Sequence, residues 1–227
     1  MKKIFLIACL GFLFTSCKKE KPATTSNFRP TFTKMDFTQK VPTSLQQNSP
    51  IAFSQINLMG AYMNLASNLM ASTGKLNGVD VNNTTWNYGP YTVTYDVTQT
   101  GNRYVFVYTI SLNGQVYYTI NGWENTDASA GHWNYNLNTS VLGYTQNDSD
   151  YNISFDWSRS GNGYNFEMSF DMGTTQLMHY VAQLNDDYSG YFNYDLNGSQ
   201  FYSCVWNASG HGYFTDFNTT PPTITNF

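Results

Sequence analysis

Residues 151–170 read YNISFDWSRSGNGYNFEMSF, and this stretch decides the fold. Tyr151, Ile153, Phe155 and Trp157 alternate with Asn152, Ser154, Asp156 and Ser158. After Gly161-Asn162 the alternation resumes, with Tyr164, Phe166, Met168 and Phe170 against Asn165, Glu167, Ser169 and Asp171. A period of two marks a strand with one face buried and one wet. Gly161-Asn162 accepts the positive φ of a primed hairpin turn. A two-residue loop there sets Trp157 opposite Phe166, Phe155 opposite Met168 and Ile153 opposite Phe170, whereas a one-residue slip would mix the faces.

Working outward, Tyr91, Val93, Tyr95 and Val97 alternate with Thr92, Thr94, Asp96 and Thr98. A Gly101-Asn102 loop sets Val97 against Phe106, Tyr95 against Tyr108 and Val93 against Ile110. Asn113-Gly114 and Asn197-Gly198 supply further tight turns. The pattern gives about ten strands, at 91–99, 103–112, 115–124, 130–138, 150–159, 164–171, 176–184, 189–196, 199–206 and 211–217. Hairpins in series without crossover helices form an antiparallel meander. Open edges invite aggregation, so the expected architecture is a closed or strongly curled barrel. Residues 131–138 (Gly-His-Trp-Asn-Tyr-Asn-Leu-Asn) are echoed at 190–197 (Gly-Tyr-Phe-Asn-Tyr-Asp-Leu-Asn), for which shared hairpin chemistry is a sufficient cause.

Before the strands the period changes. Ser49 and Pro50 suit a helix cap and first position, Ile56, Met59, Met63, Ala66 and Met70 follow at steps of three and four, and Gly74 suits the stop. This predicts a helix over 50–73, with a second apolar row at Leu58, Tyr62, Leu65 and Leu69 that would bury it against the sheet. The fold class expected is all-β with one N-terminal helix, and residues 48–227 form a single domain.

Aromatic residues are 17% of the 227-residue chain and charged residues 11%, so a core can form. Two basic and thirteen acidic residues follow Lys75, a balance of −11. Phosphate backbones are bound by clustered Lys and Arg, so nucleic acid is excluded as a partner. Cys204 is left without a partner once Cys9 and Cys17 are assigned to the leader, and it reads as a small buried apolar side chain.

Few constellations carry chemistry. The 161–162 turn sets Asp156 opposite Glu167 on the polar face, an unfavourable like-charge pair. Such carboxylates can share a proton, bind a cation, or act as acid and nucleophile on a glycoside, and they can also stand as two solvated groups screened by water and salt. Asp148, Asp150 and Asn152 mimic the start of a calcium loop, but Ile153 and Arg159 occupy the positions that an EF-hand gives to Gly and Glu. His132, His179 and His211 lack ligand spacing, and no metalloprotease, nucleophile-elbow or phosphate-loop motif occurs. No cofactor is expected. Tyr118, Trp123, Trp133 and Trp206 are candidate ligand-stacking residues. With Asn113-Gly114 as a plain two-residue loop, Val105, Val107 and Thr109 share a face with Val116, Tyr118 and Ile120, and both faces of this hairpin are apolar. Either the helix covers one of them or it is an exposed patch for a ligand or partner.

The leader locates the protein. Lys2 and Lys3 precede an apolar run from Ile4 to Phe14, too short to span a bilayer, and Phe14-Thr15-Ser16-Cys17 follows. This resembles the signal peptide and lipobox of a Bacteroidota-type bacterial lipoprotein, with Phe14 where Leu is familiar. The resemblance implies a signal at 1–16, lipidation of Cys17, and attachment to the cell envelope, at the outer membrane. Residues 17–47, rich in Lys, Thr, Ser, Pro and Gln, read as a lipidated tether.

Three functions are compatible with these features. The first is a non-enzymatic binding protein for a glycan or protein, suited by its Tyr, Trp, Asn, Asp and Gly content. The second is a barrel carrier of an apolar ligand such as a lipid. The third is a sugar-active envelope enzyme using Asp156 and Glu167. Alternating aromatic strands and a terminal Phe227 also resemble outer-membrane barrels, but Pro221-Pro222 interrupts the last segment and the rows are heavy with Tyr at mid-strand.

Overall fold

The computed structural model describes residues 37–73, 75–76, 79–80, 84–142 and 150–227. Cys17, the chain before Phe37, Gly74 and Asp148 lie outside the described residues. A 3-10 turn (Phe37–Lys40) and a helical turn (Leu45–Asn48) lead into a helix at Pro50–Thr73, the bounds that Ser49-Pro50 and the apolar period imply. Val41 and Leu45 are buried in the core, so the packed part of the chain starts before residue 48, the boundary expected from the sequence. Contacts remote in sequence hold this entry: Ser44 Oγ donates to the Ser209 carbonyl (2.7 Å) and Asn48 Nδ2 to the Gly210 carbonyl (3.0 Å). In the first half of the helix Ala52, Ile56 and Met59 face the core, while Ile51 and Leu58 are exposed. One apolar row is buried there, not two.

Two short strands, β1 (Lys75–Leu76) and β2 (Val79–Asp80), pair with each other. Among the described residues, twelve more strands form one antiparallel sheet in sequence order: β3 (Thr84–Tyr88), β4 (Tyr91–Thr100), β5 (Arg103–Leu112), β6 (Gln115–Asn125), β7 (Ala130–Leu137), β8 (Tyr151–Ser160), β9 (Gly163–Met172), β10 (Thr175–Asn185), β11 (Gly190–Leu196), β12 (Ser199–Trp206), β13 (Gly212–Asp216) and β14 (Thr223–Asn226). The ten strands read from alternation are present with ends shifted by a residue or two. Both additional strands are edges: β3, and β14 directly after Pro221-Pro222, a position where proline is tolerated. No ladder joins β3 to β14 among the described residues, so the sheet is an open meander and not a closed barrel. The β14 edge is blunted by its four-residue length and its prolines rather than removed by closure.

The hairpin registers follow the apolar rows. Trp157 pairs with Phe166, Phe155 with Met168, Val97 with Phe106 and Tyr95 with Tyr108, and the alternate residues face outward. The β5–β6 hairpin departs from the expected pairing, because Ile110 pairs with Tyr118 and Ser111 with Val116, leaving Tyr117 as a bulge. The extra residue turns Tyr118 and Ile120 inward, so Val105, Val107 and Thr109 share the outer face with Trp123, Asn121 and Thr119 instead.

The inner face is packed ring on ring. Phe106 meets Trp133 edge-on (5.3 Å between centroids), Trp133 meets Trp157 (5.9 Å), and Phe155 lies against both Trp157 (5.9 Å) and Phe166 (6.1 Å). Phe106 and Trp133 sit on strands separated by β6 and both pair with Gly122. A Cβ there would stand 2.0 Å from the His132 carbonyl oxygen, so only glycine allows the close approach.

The echo in the sequence belongs to an internal duplication: β4–β7 and β8–β11 share one plan. Tyr117 and Leu177 are equivalent bulges, whose carbonyls accept from Asn138 N–H (2.8 Å) and Asn197 N–H (3.0 Å). In the loops after β6 and β10, Asn125 Nδ2 donates to Ser129 Oγ and Asn185 Nδ2 to Ser189 Oγ, both at 2.9 Å. Ser129 N–H and Ser189 N–H donate to Asp127 (3.0 Å) and Asp187 (2.9 Å). These bonds hold each carboxyl below the usual aspartate range, the serine hydroxyl contributing most.

Candidate functional site

The outer face of β7–β11 carries a connected row of ionisable side chains. His132 Nδ1 donates to Asp156 Oδ1 at 2.7 Å. Asp156 pairs across the β8–β9 ladder with Glu167, the juxtaposition expected from the turn. His179 Nε2 reaches Glu167 Oε1 at 2.9 Å and its Nδ1 reaches Asp195 Oδ2 at 3.4 Å. Strand alternation places these groups outward, and the two histidines relieve the like-charge contact by bracketing it. The links through His132, His179 and Asp195 could not be read from sequence. The long β7–β8 connection carries no register signal, and the Leu177 bulge shifts β10 against β9.

The duplication supplies an internal control. At positions equivalent to Glu167, His179 and Asp195, the first copy carries Val107, Thr119 and Asn136 on the same backbone plan. Since β4–β7 forms its hairpins and bulge without these groups, the fold does not require them.

A groove of about 370 Å³ opens beside the row, bordered by Asp156, Ser158, Asn165, Glu167, Val181 and Tyr191. Tyr191 continues into an exposed strip, since it pairs with Val205 and Val205 with Tyr213. The groove thus joins two carboxylates and the Asn165 amide, which exchange hydrogen bonds with hydroxyls, to an apolar aromatic strip. The side chains of Asp156 and Glu167 are 51% and 61% exposed. The water-excluding pocket on which acid catalysis of glycoside hydrolysis depends is not built around them.

Elsewhere the candidate residues are dispersed. Trp123 lies on the outer face next to His132, with the Arg103 guanidinium 3.9 Å from its ring centroid. Val105, its partner on β5, and Val107 are exposed, so this face of the hairpin is not covered by the helix. Tyr118 is packed against the core, where burial pushes its phenol up to about 12. Trp133 and Trp206 are fully inside, and Trp206 Nε1 donates to the Tyr188 carbonyl at 2.9 Å. Of the calcium-like trio, Asn152 Oδ1 accepts from Asn136 Nδ2 (2.8 Å) and the Asp150 carbonyl accepts from Gly173 N–H (2.9 Å). Among the described residues no three His, Cys, Asp or Glu side chains are arranged to hold a metal ion, and no helix is long and apolar enough to cross a membrane.

No protein-family model matches the chain, and neither a curated protein nor a solved structure does.

Proposed function

We propose that the protein is a non-enzymatic binding protein of the cell envelope, lipid-anchored through Cys17 at the outer membrane, whose outer sheet face takes a glycan. The observation that carries this reading is the difference between the two copies. One backbone plan folds with Val107, Thr119 and Asn136 in the first copy, and bears Glu167, His179 and Asp195 beside a groove in the second. Groups that folding does not require, arranged with Tyr191 along an open groove, fit a hydroxyl-rich ligand with apolar ring faces. Ring-on-ring packing of the inner face favours this surface over an interior carrier site. The acidic balance after Lys75 opposes polyanionic glycans and favours neutral ones.

Affinity electrophoresis of the full chain through gels containing neutral polysaccharides (α-glucan, β-glucan, xylan, mannan, chitin derivatives) and acidic ones (pectate, heparin) tests it. Retardation by a neutral polysaccharide is expected, weakened in Tyr191→Ala and Glu167→Gln. Unretarded migration through every gel would defeat the reading.

A further inference from the structure

A second groove, of about 620 Å³, lies at the rim of the sheet and is lined by Asn162, Gln183, Asn185, Asp186 and Asp187. It adjoins the first through the ladder: Gln183 of the rim groove pairs on one side with Asn165 and on the other with Tyr191, both of which border the face groove. The two openings therefore share the outer surface of β9, β10 and β11. From Glu167 to Gly163 the strand rises roughly 14 Å at about 3.4 Å per residue, and Asn162 lies in the turn beyond it, so the track is much longer than a single sugar ring.

The rim is stiff. Gln183 Nε2 donates to Asn185 Oδ1 (2.9 Å), Asn185 Nδ2 to Ser189 Oγ (2.9 Å), and Asp186 N–H to the Asn162 carbonyl (2.6 Å). Arg159 Nη2 bonds Asp186 Oδ2 at 3.2 Å, which neutralises one of the two rim carboxylates. Oriented amides held in place before binding lose little freedom when they engage hydroxyls. In the first copy the residue equivalent to Gln183 is Trp123, covered by Arg103, so the amide junction belongs to the second copy alone.

From this continuity we infer that the site reads an extended oligosaccharide along one track, from the Asp156–Glu167 groove through Asn165, Gln183 and Tyr191 to the rim amides. The inference rests on the glycan reading and adds chain length as the determinant of affinity. Each rim amide that engages a hydroxyl contributes a modest hydrogen bond, so loss of two such contacts costs about tenfold in affinity.

The neutral polysaccharide that retards the protein is cut into oligosaccharides from disaccharide to octasaccharide, and each is titrated calorimetrically into the full chain. Affinity should climb with length and then level off. Asn162→Ala and Asn185→Ala, at the rim end of the track and checked for folding by circular dichroism, should remove about tenfold of the gain for long chains and leave the shortest ligands unchanged. A flat affinity across the length series overturns the extended track while leaving glycan binding standing. Retardation by no polysaccharide overturns both.

Discussion

Trp157 lies flat over Gly131: a Cβ built on that glycine would stand 2.1 Å from the ring atoms Cζ2 and Cη2. Gly190 holds the same place under Trp206, at 2.6 Å from Cζ2. Each pair is a cross-strand contact, Gly131 with Trp157 on β7–β8 and Gly190 with Trp206 on β11–β12. The indoles close the core at one end of the sheet because the opposing residue has no side chain.

Gly131→Ala should therefore displace the Trp157 ring and destabilise the fold by about 1–3 kcal/mol, the usual cost of overpacking a tight interior. Urea denaturation followed by tryptophan fluorescence reads this as a lower midpoint with little change in slope. An unchanged midpoint would show that the ring can move freely.

Glu167→Gln keeps an acceptor for His179 and removes the charge facing Asp156. Stability should hold or rise by about 0.2–1 kcal/mol, the range for relief of a cross-strand like-charge pair. Glycan retardation should weaken in the same variant. Loss of stability together with unaltered binding would assign the row a purely structural role.

Asp127 and Asp187 are both held below the ordinary aspartate value of about 3.9 by their bonds from Ser129 and Ser189. A depressed folded value means that the contribution is present above the unfolded value and fades as pH falls through the folded one. Carboxyl-carbon NMR titration should find both groups with midpoints below the ordinary aspartate value, and Ser189→Ala should move Asp187 upward while leaving Asp127 in place.

Burial pushes the Cys204 thiol up to about 12, with the Ser49 hydroxyl pulling weakly the other way. The thiolate is the reactive form, so Cys204 should resist a disulfide reagent at pH 8 until denaturant is added. Rapid labelling of the native protein would contradict the buried position.

Cys17→Ala should abolish incorporation of a fatty-acid label and release the protein from the membrane fraction. A labelled, membrane-bound variant would break the proposed anchor.

Much of the fold was legible because each strand obeys a local rule. Alternation set the faces of β4, β7, β8 and β9, and the Gly-Asn turns set the registers of β4–β5 and β8–β9, including the meeting of Asp156 with Glu167. Failures came where local rules are silent. Tyr117 looks like any strand residue, yet its bulge reverses which side of β6 is buried. Val41 and Leu45 sit in a polar stretch and are nonetheless buried, and their neighbours Ser44 and Asn48 bond to residues more than a hundred positions away. The edge strands have only one neighbour each, so their sequences are weakly constrained.

By itself, then, the sequence determined the meander, the helix bounds and the acidic, motif-poor character of the domain, since periodicity, turn chemistry and charge are properties of neighbouring residues. Only the tertiary structure decided that the sheet stays open and that β4–β7 and β8–β11 are copies of one plan. It also joined His132, Asp156, Glu167, His179 and Asp195 into one row beside Tyr191. Each of those outcomes depends on the register between strands, and register accumulates bulges and long connections that no single segment records.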